Sequence, residues 1–113
     1  MINISHALIT INTSNANNLT NTEVASKLIE DISNYLETTI IESAYHEFGP
    51  SGLTGFALLK ESHIAIHSWP EENLIMLDIL SCKPFKASFN QYLDKLLRAS
   101  YSIKDVDIAN EIV

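Results

Sequence analysis

Residues 52–82 read GLTGFALLKESHIAIHSWPEENLIMLDILSC, and their patterning decides the fold. Gly55 to Leu59 is a short apolar run, Glu61 to Trp69 alternates loosely, and Leu74 to Leu80 is strongly apolar. Runs of this length predict three successive strands, adjacent in a sheet and joined by short loops, with Pro70 to Asn73 making one turn. The same stretch gathers polar and reactive groups beside buried-looking ones: Thr54 in a Gly-Leu-Thr-Gly turn, Ser62 between Glu61 and His63, His67, and Cys82, the only cysteine.

Upstream, Gly49-Pro50-Ser51-Gly52 is a strong turn signal. The β-branched run Thr38 to Ile41 predicts a strand continuing to His46 or Phe48. Thr20 followed by Glu23 reads as a capping box that opens a helix running to Leu36. Val24, Leu28, Ile32 and Tyr35 form its apolar stripe, widened by Ala25, Ile29 and Leu36. Ile2 to Ile11 predicts a first strand, with His6 as a half-exposed strand residue, and Asn12 to Asn18 a loop. Downstream, Pro84 suits a first helical position. Phe85, Phe89, Leu93 and Leu96 mark the core face of a helix that ends near Ser100, and Tyr101 to Ile108 predicts a last strand. Strand, helix, several strands, helix, strand implies an α+β fold: a two-layer α/β sandwich, a mainly antiparallel sheet with two helices on one face. The second sheet face is left partly open, and a second copy of the chain would help to cover it.

With 113 residues the chain makes one small domain, residues 1–113, without repeats or linkers. Fourteen acids oppose seven Lys and Arg, for a formal net charge of −7, which argues against nonspecific binding to nucleic acid or to an anionic membrane. One cysteine excludes an intrachain disulfide. The N-terminus lacks the pattern of a secretory signal and no apolar run approaches a membrane span, so a cytoplasmic location is expected.

Several chemistries compete for the central stretch. A Ser62–His67 hydrolase pair with Asp78 as orienting acid lacks the Gly-x-Ser-x-Gly elbow. Strand alternation also places Ser62, Ile64 and Ile66 on one face and His63, Ala65 and His67 on the other. His6, His46, His63, His67 and Cys82 offer metal donors, but no pair has a recurrent zinc spacing, and no metal is expected. Phe48 and Trp69 border turns, where a flat pair can sandwich a heterocycle. Cys82, at a strand end beside Ser81 and Lys83, has room for acid–base work.

The run Glu61-Ser62-His63-Ile64-Ala65-Ile66-His67-Ser68-Trp69-Pro70-Glu71, followed by Asp78 and Cys82, resembles the prokaryotic S-adenosylmethionine decarboxylase proenzymes. Gly52-Leu53-Thr54-Gly55 is similar to their Gly-Val-Ser-Gly segment. The clear similarity covers residues 46–82, and the flanking elements agree in order and length.

The resemblance implies a chain that cuts itself. The Ser62 hydroxyl would attack the Glu61 carbonyl and turn the amide into an ester. Loss of the Ser62 α-proton would eliminate that ester, and hydrolysis would leave a pyruvoyl group at position 62. The products would be a β chain, residues 1–61, and an α chain, residues 62–113. The pyruvoyl ketone would hold the substrate amine as a Schiff base and act as an electron sink when CO2 departs.

By the same resemblance, Thr54 and His67 assist processing and Cys82 is the general acid. Phe48 and Trp69 stack on adenine, and Glu71 contacts the ribose. The implied substrate is S-adenosylmethionine, the implied product feeds spermidine synthesis, and the implied assembly is a homodimer of processed protomers. Thr54 stands where the family has serine, Ser68 where threonine is usual, and Lys83 where glycine is frequent. Asn12 to Asn18 replaces an acidic or cysteine-containing segment. Arginine or ornithine decarboxylases of the same architecture, and an unprocessed non-catalytic homologue, are the alternatives.

Overall fold

The computed structural model describes residues 4–112, with side chains described through Asn110. Strand β1 (Ser5–Thr13) leads through a short loop to α1 (Thr22–Tyr35). Strands β2 (Ile40–Glu47), β3 (Leu53–Leu59), β4 (Ser62–Trp69) and β5 (Leu74–Ser81) follow as a meander. Helix α2 (Phe89–Ser100) and β6 (Ile103–Ile112) complete the chain. The six strands form one sheet in the order β2-β3-β4-β5-β1-β6. Every pairing in it is antiparallel. Both helices cover one face, as the two-layer α+β expectation requires.

The core lies between the sheet and the helices. Alternate residues of β1 (Ala7, Ile9, Ile11) and β5 (Ile75, Leu77, Ile79) are fully buried, with Ile64 and Ile66 of β4 beside those of β5. They meet Leu28, Ile29 and Ile32 of α1 and Phe89, Leu93 and Leu97 of α2. Burying one such side chain contributes about 1.5–3 kcal/mol. No helix is long and apolar enough to cross a membrane among the described residues.

Three local expectations are corrected. Strand β1 extends through Thr13, two residues further than the alternation suggested, because β6 pairs with it there through a shifted register at Asn12/Thr13. The start expected at Ile2 lies outside the described residues. The cap of α1 is Asn21 rather than Thr20: its side chain accepts from the backbone N–H groups of Glu23 and Val24, the usual work of an N-cap asparagine. Helix α2 begins at Phe89 rather than near Pro84. Residues 82–88 carry the chain from the end of the sheet up to the helix layer. Phe85 joins the core from that loop by stacking on Phe89, ring centroids 4.3 Å apart.

Two glycines fix the path into β3. A Cβ on Gly55 would lie 2.3 Å from the ring of Tyr45, its cross-strand neighbour. A Cβ on Gly52 would lie 2.1 Å from the Ser68 carbonyl oxygen, and its φ is +130°. Ser68 is itself a strut: its buried Oγ donates to the Leu19 carbonyl at 2.5 Å and accepts from Leu53 N–H at 3.0 Å. Gly52→Ala therefore adds a backbone collision to a conformation disfavoured for side chains. It is expected to cost about 3 kcal/mol or more of unfolding free energy, read as a lower urea midpoint. An unchanged midpoint would contradict this account of the turn.

Candidate active site

Register places the unhelical face of the sheet residue by residue. One row across β2, β3, β4, β5 and β1 is His46, Thr54, His67, Met76, Thr10. The next is Ala44, Phe56, Ala65, Asp78, Leu8, and a third is Glu42, Leu58, His63, Leu80, His6. The face carries all four histidines and an apolar belt: Leu8 is 38% exposed, and Phe56 and Leu58 are each 44% exposed.

Ser62 lies at one end of these strands. Strands β3 and β4 are joined by a two-residue loop, Lys60-Glu61, closed by the Leu59–Ser62 pair. Glu61 has φ +61°, a left-handed conformation that costs about 1 kcal/mol or more for a residue with a side chain. Ser62 Oγ accepts a hydrogen bond from the backbone N–H of Cys82 at 3.1 Å. A cavity of about 350 Å³ opens beside them, lined by Glu37, Lys60, Glu61, Ser62, Cys82 and Lys83 among others. The sequence motif becomes a physical unit here: a hydroxyl engaged by a donor, a strained peptide just before it, a thiol residue next to it, and room for a small molecule.

The other end of the strands holds a second cluster. Thr54 Oγ1 and His67 Nδ1 are 3.2 Å apart, on directly paired residues of β3 and β4. His67 and Trp69 have ring centroids 6.0 Å apart. Phe48 is 54% exposed and meets His46 edge to face at 4.4 Å. The turn at Pro70–Glu72, which carries Glu71, lies against the turn at Gly49–Ser51 that follows Phe48. Thr54, His67, Phe48, Trp69 and Glu71 thus share one end of the sheet.

Ser62 and His67 do not meet. His67 lies five strand steps beyond Ser62, about 17 Å at a rise of ~3.4 Å per residue. The hydrolase alternative is not assembled either. Asp78 pairs with His6, whose Nε2 lies 2.6 Å from Oδ1, and stands 3.9 Å from His63 Nε2. Neither distance involves His67, which sits opposite Met76. This His6–Asp78–His63 group was not legible in the sequence, because it depends on β1 pairing with β5 across some 70 residues. Among the described residues no three of His, Cys, Asp and Glu converge as metal ligands.

An antiparallel two-layer sandwich with a left-handed Glu-Ser turn and a thiol beside it narrows the class of protein, and the comparisons agree on which. The family model described as S-adenosylmethionine decarboxylase matches residues 5–107. The S-adenosylmethionine decarboxylase proenzyme of Archaeoglobus fulgidus is 38% identical over 82 residues, 70% of this chain and 73% of that protein. That of Clostridium botulinum strain Langeland is 33% identical over 103 residues, 91% of this chain and 87% of that one. The crystal structure of the adenosylmethionine decarboxylase from Aquifex aeolicus superposes with a TM-score of 0.77 at 28% identity, covering 97% of this chain and 89% of that one. The chain belongs to the S-adenosylmethionine decarboxylase family.

Proposed function

We propose that this chain is a self-processing decarboxylase of S-adenosylmethionine, cut between Glu61 and Ser62, whose sites are completed by a second copy. The observation that carries the reading is the Ser62 hydroxyl, held by the Cys82 N–H at 3.1 Å directly after the left-handed Glu61. The pyruvoyl group that processing leaves at position 62 supplies, once formed, an electron sink for the charge left as CO2 departs. The residues present fit it: the cavity opens beside both reacting positions, and Cys82 borders it.

The remaining roles are those the family resemblance implies, and the side-chain chemistry suits each. The Cys82 thiol holds a proton for the substrate carbon. Phe48 and Trp69 offer flat faces to adenine, and the Glu71 carboxylate accepts from ribose hydroxyls. The Thr54–His67 pair takes up the Ser62 α-proton during processing. Threonine keeps the hydroxyl within hydrogen-bond reach of the imidazole, which supports processing rather than an inert homologue.

His67 sits about 17 Å from Ser62 within one chain, and Thr54, Phe48, Trp69 and Glu71 lie at the His67 end of the sheet, too far to act on that chain's own position 62. Two copies packed open face to open face, with strands reversed, bring the Ser62 end of one over the His67 end of the other. Stacked sheets lie about 10 Å apart, and the apolar belt of Leu8, Phe56 and Leu58 would then be covered.

Intact mass of the purified protein tests the first step: fragments 1–61 and 62–113 are expected, the latter lighter by one ammonia than a fragment beginning with serine. A persistent full-length chain would sink the reading. CO2 release from S-adenosylmethionine, and not from arginine or ornithine, tests the substrate. Cys82→Ala is expected to cleave normally but to lose about 10²–10⁴-fold in turnover. Undiminished turnover would remove Cys82 from the acid role.

A further inference from the structure

Lys83 directly follows Cys82 and lines the same cavity as Glu61 and Ser62. Its Nζ donates to the main-chain carbonyl of Glu37 at 3.3 Å, a neutral acceptor. The carboxylate of Glu37 is already engaged, by Lys86 at 3.3 Å, and Lys86 also lies 5.2 Å over the Tyr35 ring. Lys83 thus holds its charge beside the cleavage position while bonded to a group that carries none.

Cleavage at 61–62, on which this inference rests, changes the charge there in an unusual way. It consumes one water and releases one ammonia: the Glu61 carbonyl carbon leaves as a carboxylate, and position 62 loses its nitrogen in becoming a ketone. An ordinary proteolytic cut makes a carboxylate and an ammonium that offset each other. This cut leaves the carboxylate alone on the protein, on a residue whose side chain is already anionic, in a chain of formal net charge −7. It also frees a chain end from a tight turn, and free ends fray unless something ties them down. A frayed 1–61 terminus would lie in the cavity it borders.

We propose that Lys83 is the counter-ion of the new Glu61 main-chain carboxylate, exchanging the Glu37 carbonyl for it and pinning the end of the 1–61 fragment beside Cys82. The ammonium donates in either case, but the carboxylate adds the attraction of an opposite charge that a neutral carbonyl lacks, which favours the exchange. Lys83 is a positioning residue on this view: it keeps the cavity clear and takes no part in the bond changes.

Two measurements test it. First, lysine acetylation by an N-hydroxysuccinimide ester is followed by mass spectrometry in the processed protein and in uncleaved Ser62→Ala, with exposed Lys95 as internal reference. Lys83 is expected to react about threefold more slowly after cleavage, the scale of one exposed ion pair. Second, a carboxypeptidase is expected to remove Glu61 from processed Lys83→Met about threefold faster than from the parent, with Lys83→Arg restoring the slow rate. Equal Lys83 reactivity in the two forms overturns the pairing and leaves the decarboxylase reading standing. A parent chain that never cleaves overturns both. If Lys83→Met fails to process, the acetylation comparison decides alone.

Discussion

Ser62→Ala is expected to yield a single 113-residue chain with no decarboxylase activity. The substitution removes only Oγ, the atom that would attack the Glu61 carbonyl, so no ester forms and position 62 never becomes a ketone. The substitution also leaves the Cys82 N–H without the hydroxyl acceptor it points at. The fold has little reason to object. Ser62 is half-buried at the first position of β4, and alanine fits there within about 1 kcal/mol. An unchanged circular dichroism spectrum and melting temperature, with one full-length mass, would locate the loss in the chemistry. Two fragments from this variant, or CO2 release by the uncut chain, would refute the assignment of Ser62.

Co-expressing Ser62→Ala with His67→Ala is expected to produce fragments that neither makes alone. If Ser62 of one copy is served by Thr54 and His67 of the other, a mixed pair has one competent combination: the intact Ser62 of the His67→Ala chain with the intact His67 of the Ser62→Ala chain. Fragment 62–113 carrying alanine at 67 should then appear, from about half of the His67→Ala chains when equal amounts pair at random. The mass label makes the outcome unambiguous, since that fragment can come only from processing across the two copies. Its absence, with mixed pairs shown to form, would mean that each chain serves itself. The 17 Å within β4 would then have to close by some rearrangement of the strand.

Local periodicity carried most of the fold. The apolar stripe of α1 and the meander from Ile40 to Ser81 stand where the sequence placed them, because a helix face and a half-buried strand each announce a period. What periodicity cannot carry is pairing across the chain. Nothing near Ser5 to Thr13 says that this strand slots between β5 and β6, so the His6–Asp78 contact was invisible. The start of α2 was misread because Pro84 is as much at home in the loop before a helix as in its first turn.

The motif between Gly52 and Cys82 supplied the residues of the proposed site, and reading Ser62 to Trp69 as a strand already contained the separation of Ser62 from His67. Five residues of extended chain cannot fold back on themselves. The division of the proposed site between two ends of the sheet is thus the geometric content of a strand assignment, and on the proposed reading it gives the open, half-apolar face a partner to meet.

The strand order has one more consequence. If the chain is cut after Glu61, β1, β2 and β3 belong to one fragment and β4, β5 and β6 to the other. In the sheet they do not separate into halves: β1 lies between β5 and β6, hydrogen-bonded on both sides to the other fragment. The two pieces are interlocked like clasped fingers, and neither has a sheet of its own to fold around. Unfolding therefore becomes a dissociation, with a midpoint that rises with protein concentration, and the sequence can be threaded into this fold readily only while it is still one chain. Maturation would leave a molecule easier to keep than to rebuild.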